Sequence, residues 1–163
     1  MTLSFHPLLL PLAAGLGLAT NAHAGPAPSE LIVADADDAP IGSLLQGATH
    51  PVVGIDASED ALRRITDELG ARRQAGTAVT TLHVVAHGRA GAVKLGDEWI
   101  DVADLAAAGP QLATWSLDDI VVWGCDVGDA PAFADELEAL TGARIWTSTE
   151  PLGQGHWLSL IHI

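Results

Sequence analysis

The sequence predicts an α/β fold, a three-layer α/β/α sandwich around a mainly parallel sheet of about five strands. Three observations predict it. Five short apolar, β-branched runs recur along the chain, and each is closed by a polar residue or a glycine. Segments with helical spacing of apolar residues lie between most of those runs. Hydrophobic residues make up 48% of 163 residues, which is enough for one real core and too many for a disordered segment.

The runs, in order, are residues 30–34 (ELIVA, ending at Asp35), 51–55 (PVVGI, ending at Asp56), 80–86 (TTLHVVA, ending at His87-Gly88), 120–123 (IVVW, ending at Gly124-Cys125) and 143–147 (ARIWT, ending at Ser148-Thr149). Their nearly continuous apolar character is that of strands buried on both faces. Residues 36–40 read as a polar turn. Ser58 is placed to cap a helix over 59–74, with Leu62, Ile65 and Leu69 on one face. Asp101 caps a helix over 102–108, stopped by Gly109-Pro110. Asp129 caps one over 130–141, where Phe133, Leu137 and Leu140 share a face and Gly142 ends it. Residues 93–95 and 99–100 around Gly96-Asp97 form a hairpin inserted after the third strand.

The two ends are set apart from this domain, which spans 25–157. Residues 1–24 read as a secretory signal peptide, with a short apolar core over 8–16 and the cleavage pattern Ala22-His23-Ala24. That predicts an exported protein. Residues 158–163 (LSLIHI) read as translated sequencing-adaptor sequence rather than native chain. The formal net charge is −14. Such acidity excludes an electrostatic grip on nucleic acid, and the apolar stretch is too short for membrane insertion. Calcium is a surface possibility only, because there is no EF-hand-type run.

In open parallel sheets, ligands and catalysis collect at the carboxyl ends of the strands. Asp35, Asp56, His87, Cys125 and Ser148 all stand at such ends. Cys125 is the single cysteine, so no internal disulfide is possible. It leaves its strand beside Gly124, which removes bulk around the thiol. His87 closes the preceding long strand, and Gly88-Arg89-Ala90-Gly91 reads as a flexible loop over a cleft. If those strands are neighbours, His87 can take the Cys125 proton. A buried inert thiol and a structural histidine are the bland alternatives. His83 and His87 lie about 13 Å apart on a strand, too far for one metal ion, which leaves His83 as a pairing or core residue. Trp123 and Val127 occupy the places where a nucleophile elbow needs glycine. No phosphate-cradling glycine loop precedes a helix. No metal and no cofactor are expected.

The stretches 82–88 (LHVVAHG), 93–99 (VKLGDEW) and 121–127 (VVWGCDV) resemble an uncharacterised bacterial domain-of-unknown-function family. Residues 140–143 (LTGA), Ser148-Thr149 and 155–157 (GHW) fit its later pattern, and the strands ending at Asp35 and Asp56 fit its beginning. The resemblance runs from Leu31 to Trp157. It implies an N-terminal position in very large secreted proteins with cadherin-like, immunoglobulin-like or calcium-binding repeats. That family in turn resembles the caspase–gingipain group of cysteine peptidases. The resemblance implies a caspase-like fold, with His87 as base and Cys125 as nucleophile. It also implies an oxyanion hole from the Gly88 and Cys125 amides beside Gly124, and a pocket bordered by Asp35, Asp56, Asp126, Ser148 and Thr149. Asp126 stands where the family usually has Asn, and its charge disfavours a neighbouring thiolate. Two functions follow from these expectations. One is a cysteine endopeptidase acting on a polypeptide substrate or on its own downstream repeats. The other is a non-catalytic module of a surface adhesin or exoprotein.

Overall fold

The computed structural model describes residues 29–150, apart from 36, and the backbone of Leu160–His162. The signal-peptide segment and residues 155–157 lie outside the described residues. Five strands, β1 (Glu30–Asp35), β2 (Val52–Ile55), β3 (Thr81–Val85), β7 (Asp119–Trp123) and β8 (Arg144–Ser148), form a parallel sheet in the order β2-β1-β3-β7-β8. The backbone of β9 (Leu160–His162) pairs antiparallel with β8 at the edge. The chain therefore has the α/β fold with a mainly parallel sheet that its sequence predicts.

The helices are α1 (Ala39–Leu44), α2 (Ala61–Gln74), α3 (Val102–Ala107), α4 (Gly109–Leu112) and α5 (Ala132–Thr141). Their distribution over the sheet follows from handedness. The connections β2→β3, β3→β7 and β7→β8 all move in one direction across the sheet, and β1→β2 moves in the other. Right-handed crossovers then put the first three on one face and the last on the opposite face. Accordingly Ile65 and Leu69 of α2, Leu105 of α3, Leu112 of α4 and Phe133 and Leu137 of α5 join Leu31, Val33, Leu82, Val84, Ile120, Val122 and Ile145 in one core. Each such side chain contributes about 1.5–3 kcal/mol when fully buried. The opposite face carries only the six-residue α1 among the described residues.

Burial along the strands consequently alternates, where the sequence suggested strands covered on both sides. In β3, Leu82 and Val84 are buried while Thr81, His83 and Val85 are half-buried, and β7 repeats the pattern. The polar members Thr81 and His83 carry that alternation in the sequence.

Three boundaries also differ from expectation. The stretch read as a turn already holds the start of α1 at Ala39 and Pro40, because Asp38 caps that helix and Pro40 fits its first turn. Helix α2 is capped by Asp60, whose carboxylate accepts from Arg63 N at 2.9 Å, rather than by Ser58. Asp129 lies in a 3₁₀ turn (Val127–Asp129), and α5 starts after Pro131. Asp101 caps α3 as expected, with a reciprocal bond from Asp101 N to Asp104.

The predicted hairpin is present as β5 (Ala92–Leu95) and β6 (Glu98–Ile100), and it gains a third strand, β4 (His87–Arg89). The segment read as a flexible loop is thus pinned: His87 pairs with Lys94, Gly88 with Val93 and Arg89 with Ala92. Arg89 also stacks its guanidinium 4.2 Å above the Trp99 ring.

Candidate active site

The strand order reverses between β1 and β3, and open parallel sheets bind ligands outside the carboxyl ends of the strands at such a reversal. The segment after β1 supplies Asp38. The residue Ala86, bonded through its N–H to Trp123 O at 3.2 Å, carries the chain from β3 to His87. Neighbouring β7 runs into Gly124 and Cys125. His87 and Cys125 line one cavity of about 160 Å³, with Pro40, Ile41 and Leu44 of α1 on one side and Val85, Ala86 and Trp123 beneath.

His87 Nε2 lies 2.8 Å from Asp38 Oδ2. A carboxylate only accepts, so this nitrogen carries the proton and the neutral ring keeps Nδ1 bare as the basic nitrogen. The other Asp38 oxygen accepts from Ile41 N at 2.8 Å. That backbone bond, followed by the His87 bond, holds the Asp38 carboxyl below the usual carboxylate range. One side chain therefore caps α1 and orients the imidazole. The His87 side chain is 54% exposed and Asp38 21%, so the pair opens to solvent.

Glycines bring the two backbones together. A Cβ on Gly88 would stand 2.7 Å from Cys125 N and 2.6 Å from Val127 Cγ2, with the Cys125 carbonyl oxygen closer still. A Cβ on Gly124 would meet the Gly88 Cα at 3.3 Å. Both glycines are thus required by close approach, and Gly88 lies directly against the backbone of Cys125. The half-buried Cys125 is followed by Asp126 at φ 57°, a left-handed conformation that Asp and Asn tolerate better than other side chains. This turn sends the chain from the strand into the 3₁₀ turn.

The remaining expected residues are dispersed. Asp35 is buried, accepts from Asp37 N at 3.2 Å and lines a separate 100 Å³ cavity with Asp37, Asp38, Lys94 and Asp97. Asp56 is exposed, and its N–H donates to Glu59 Oε2 at 3.0 Å. Asp126 N donates weakly to Glu150 O at 3.4 Å. Ser148 is fully buried with its hydroxyl donating to Glu150 O at 2.9 Å, and Thr149 is half-buried. Neither Ser148 nor Thr149 is among the walls of the Cys125 cavity. Asp38 is the residue the sequence reading missed. Its signal was Asp38-Ala39-Pro40, a cap residue with Pro in the first helical turn.

A model of the domain of unknown function DUF4347 matches residues 31–159. The chain belongs to the DUF4347 family. The DUF4347 match covers the described sheet apart from Glu30 and the edge strand β9. No curated protein matches the chain. Among solved structures, an aromatic-amino-acid aminotransferase from Burkholderia pseudomallei with covalently bound pyridoxal phosphate is 17% identical. That match covers 74% of this chain and 30% of the aminotransferase, with a TM-score of 0.37, and carries no argument about this DUF4347 domain. Among the described residues no group of His, Cys, Asp and Glu is arranged to hold a metal ion, and no helix is long and apolar enough to cross a membrane.

Proposed function

We propose that this DUF4347 domain is a cysteine hydrolase, an endopeptidase of the caspase–gingipain kind, at the N-terminal end of a larger exported protein. The observation that carries the reading is the Asp38–His87 bond, which leaves the basic nitrogen of His87 free to serve the cavity it shares with Cys125. His87 Nδ1 takes the thiol proton, and the thiolate attacks the scissile carbonyl. The oxyanion is met by the Gly88 and Cys125 amides. The C–N bond breaks, the leaving amine takes the proton from the imidazolium, and a thioester remains. Water, deprotonated by His87, then hydrolyses the thioester and the thiol is restored. The substrate is a polypeptide, including the protein's own downstream repeats. No cofactor takes part in this scheme.

A second reading, a non-catalytic interaction module of a surface adhesin, is favoured by Asp126, whose negative charge beside the thiol opposes thiolate formation. Iodoacetamide kinetics separate the two. The folded protein should alkylate at pH 6 about tenfold faster than the denatured chain, whose thiol has a pKa of about 8.5. His87→Ala should slow the reaction, and Asp126→Asn should speed it. Equal rates in folded and denatured protein, unchanged by His87→Ala, would leave the non-catalytic module.

A further inference from the structure

The sparsely covered sheet face holds a larger cavity of about 470 Å³, lined by Glu30, Ile32, Leu44, Leu45, His50, His83, Val85 and Trp123. It shares Leu44, Val85 and Trp123 with the cavity at Cys125. The two therefore adjoin along Val85 and Trp123 beside α1, in line as one groove for an extended chain. Its wall residue Leu44 is 54% exposed, an apolar side chain left uncovered beside the site.

A hydrogen-bond chain closes the far end. Trp123 Nε1–H donates to His83 Nδ1 at 3.1 Å. Indole N–H is only a donor, so His83 must carry its proton on Nε2, which lies 3.0 Å from Glu30 Oε2. The ring is thereby held in one neutral tautomer, and its Nε2 is committed to Glu30 and unable to ligate a metal. His50 Nε2 approaches the same oxygen at 3.4 Å. Both contacts fall on Oε2, and Oε1 has no partner among the described residues. Among the described residues, Glu30 is the only carboxylate on this apolar cavity.

We propose that this groove binds an extended polypeptide substrate and that Glu30 selects a basic side chain, Arg or Lys, some way from the scissile bond. The proposal rests on the reading of Cys125 as the nucleophile. His83 pairs with Val121, four residues before Cys125, so the carboxylate lies about 13 Å from the thiol along the strands at ~3.3 Å per residue. A basic residue about two or three positions from the scissile bond spans that distance with its stem on Val85 and Trp123. Charge complementarity names the occupant: an apolar stem ending in a cation fits an apolar groove ending in a carboxylate. The net charge of −14 draws the same substrates toward the protein.

The test is equilibrium binding of fluorescein-labelled hexapeptides to the Cys125→Ser protein. Each peptide carries one Arg, norleucine or Glu at successive positions in a leucine–alanine background. At one position Arg should bind about tenfold more tightly than norleucine, the scale of a charge-assisted hydrogen bond. Adding Glu30→Gln, which still accepts from His83, should abolish that preference and keep norleucine binding, which reports an intact groove. Arg and norleucine binding equally at every position, or a preference that survives Glu30→Gln, overturns the proposal. Iodoacetamide kinetics on the wild-type protein judge the nucleophile separately. Arg-selective binding with a sluggish thiol supports the groove and overturns the hydrolase. A reactive thiol with no selectivity overturns the groove and leaves the hydrolase.

Discussion

Gly88→Ala should be among the most damaging single-methyl additions to this protein. The new Cβ would stand 2.7 Å from Cys125 N and 2.6 Å from Val127 Cγ2, against 3.4 Å for the start of ordinary contact. The overlap is about 0.7 Å on an atom pair held by backbone, where small-to-large changes cost about 1–3 kcal/mol. The upper end applies, because relief requires β4 to move off the Cys125 turn while His87, Gly88 and Arg89 stay paired to β5. A loss of about 3 kcal/mol is a large share of the roughly 5–15 kcal/mol that holds a domain together. Gly70→Ala is the matched control. It sits mid-helix in α2 with nothing within 4 Å of its Cβ position, and should gain about 0.5–1 kcal/mol. Urea unfolding followed by tryptophan fluorescence, with Trp115 buried in the core, measures both. A Gly88→Ala protein within about 0.5 kcal/mol of wild type would refute the claim that the two backbones are in contact.

Asp38→Asn keeps the cap acceptor but removes the charge. The Asp38 carboxyl is held below its usual value in the folded state, so its stabilisation is fully present above the unfolded value and is lost as pH falls through the folded one. The variant should therefore be less stable than wild type at pH 7, with the gap closing below about pH 4; a gap unchanged at pH 3 in urea titrations would remove the carboxylate from the account. The export reading predicts Gly25 as the first residue of material recovered from the periplasm or medium of a Gram-negative host, and N-terminal sequencing that finds Met1 there would sink it.

The strands were legible because their apolar runs are continuous and end abruptly in Asp, His or Gly. The pairing of β3 with β7, and hence the shared edge of His87 and Cys125, was only a condition in the sequence, because strand order across a parallel sheet does not follow from order along the chain. Helix α1 was not legible from apolar periodicity. It buries only Ile41 and contains Pro40 and Gly42, and a six-residue helix forms only because Asp38 caps it and the sheet lies beneath. Asp38 went unread for the same reason, since its chemistry depends on a partner 49 residues away. The uneven covering of the sheet was hidden as well. His83 on β3 signals a half-polar face, but only the order of the strands reveals that, among the described residues, one short crossover helix covers it.

The left-handed turn at Asp126 separates two properties that a sequence position usually ties together. Among residues with a side chain, the backbone geometry favours Asp and Asn, which are nearly equal in size and in tolerance for this conformation. Charge is left free. Exchange between the two therefore adds or removes a full negative charge next to the thiol without rebuilding the turn, the 3₁₀ segment or the contact with Gly88. Were Cys125 the nucleophile proposed above, that single exchange would tune its strength through charge alone.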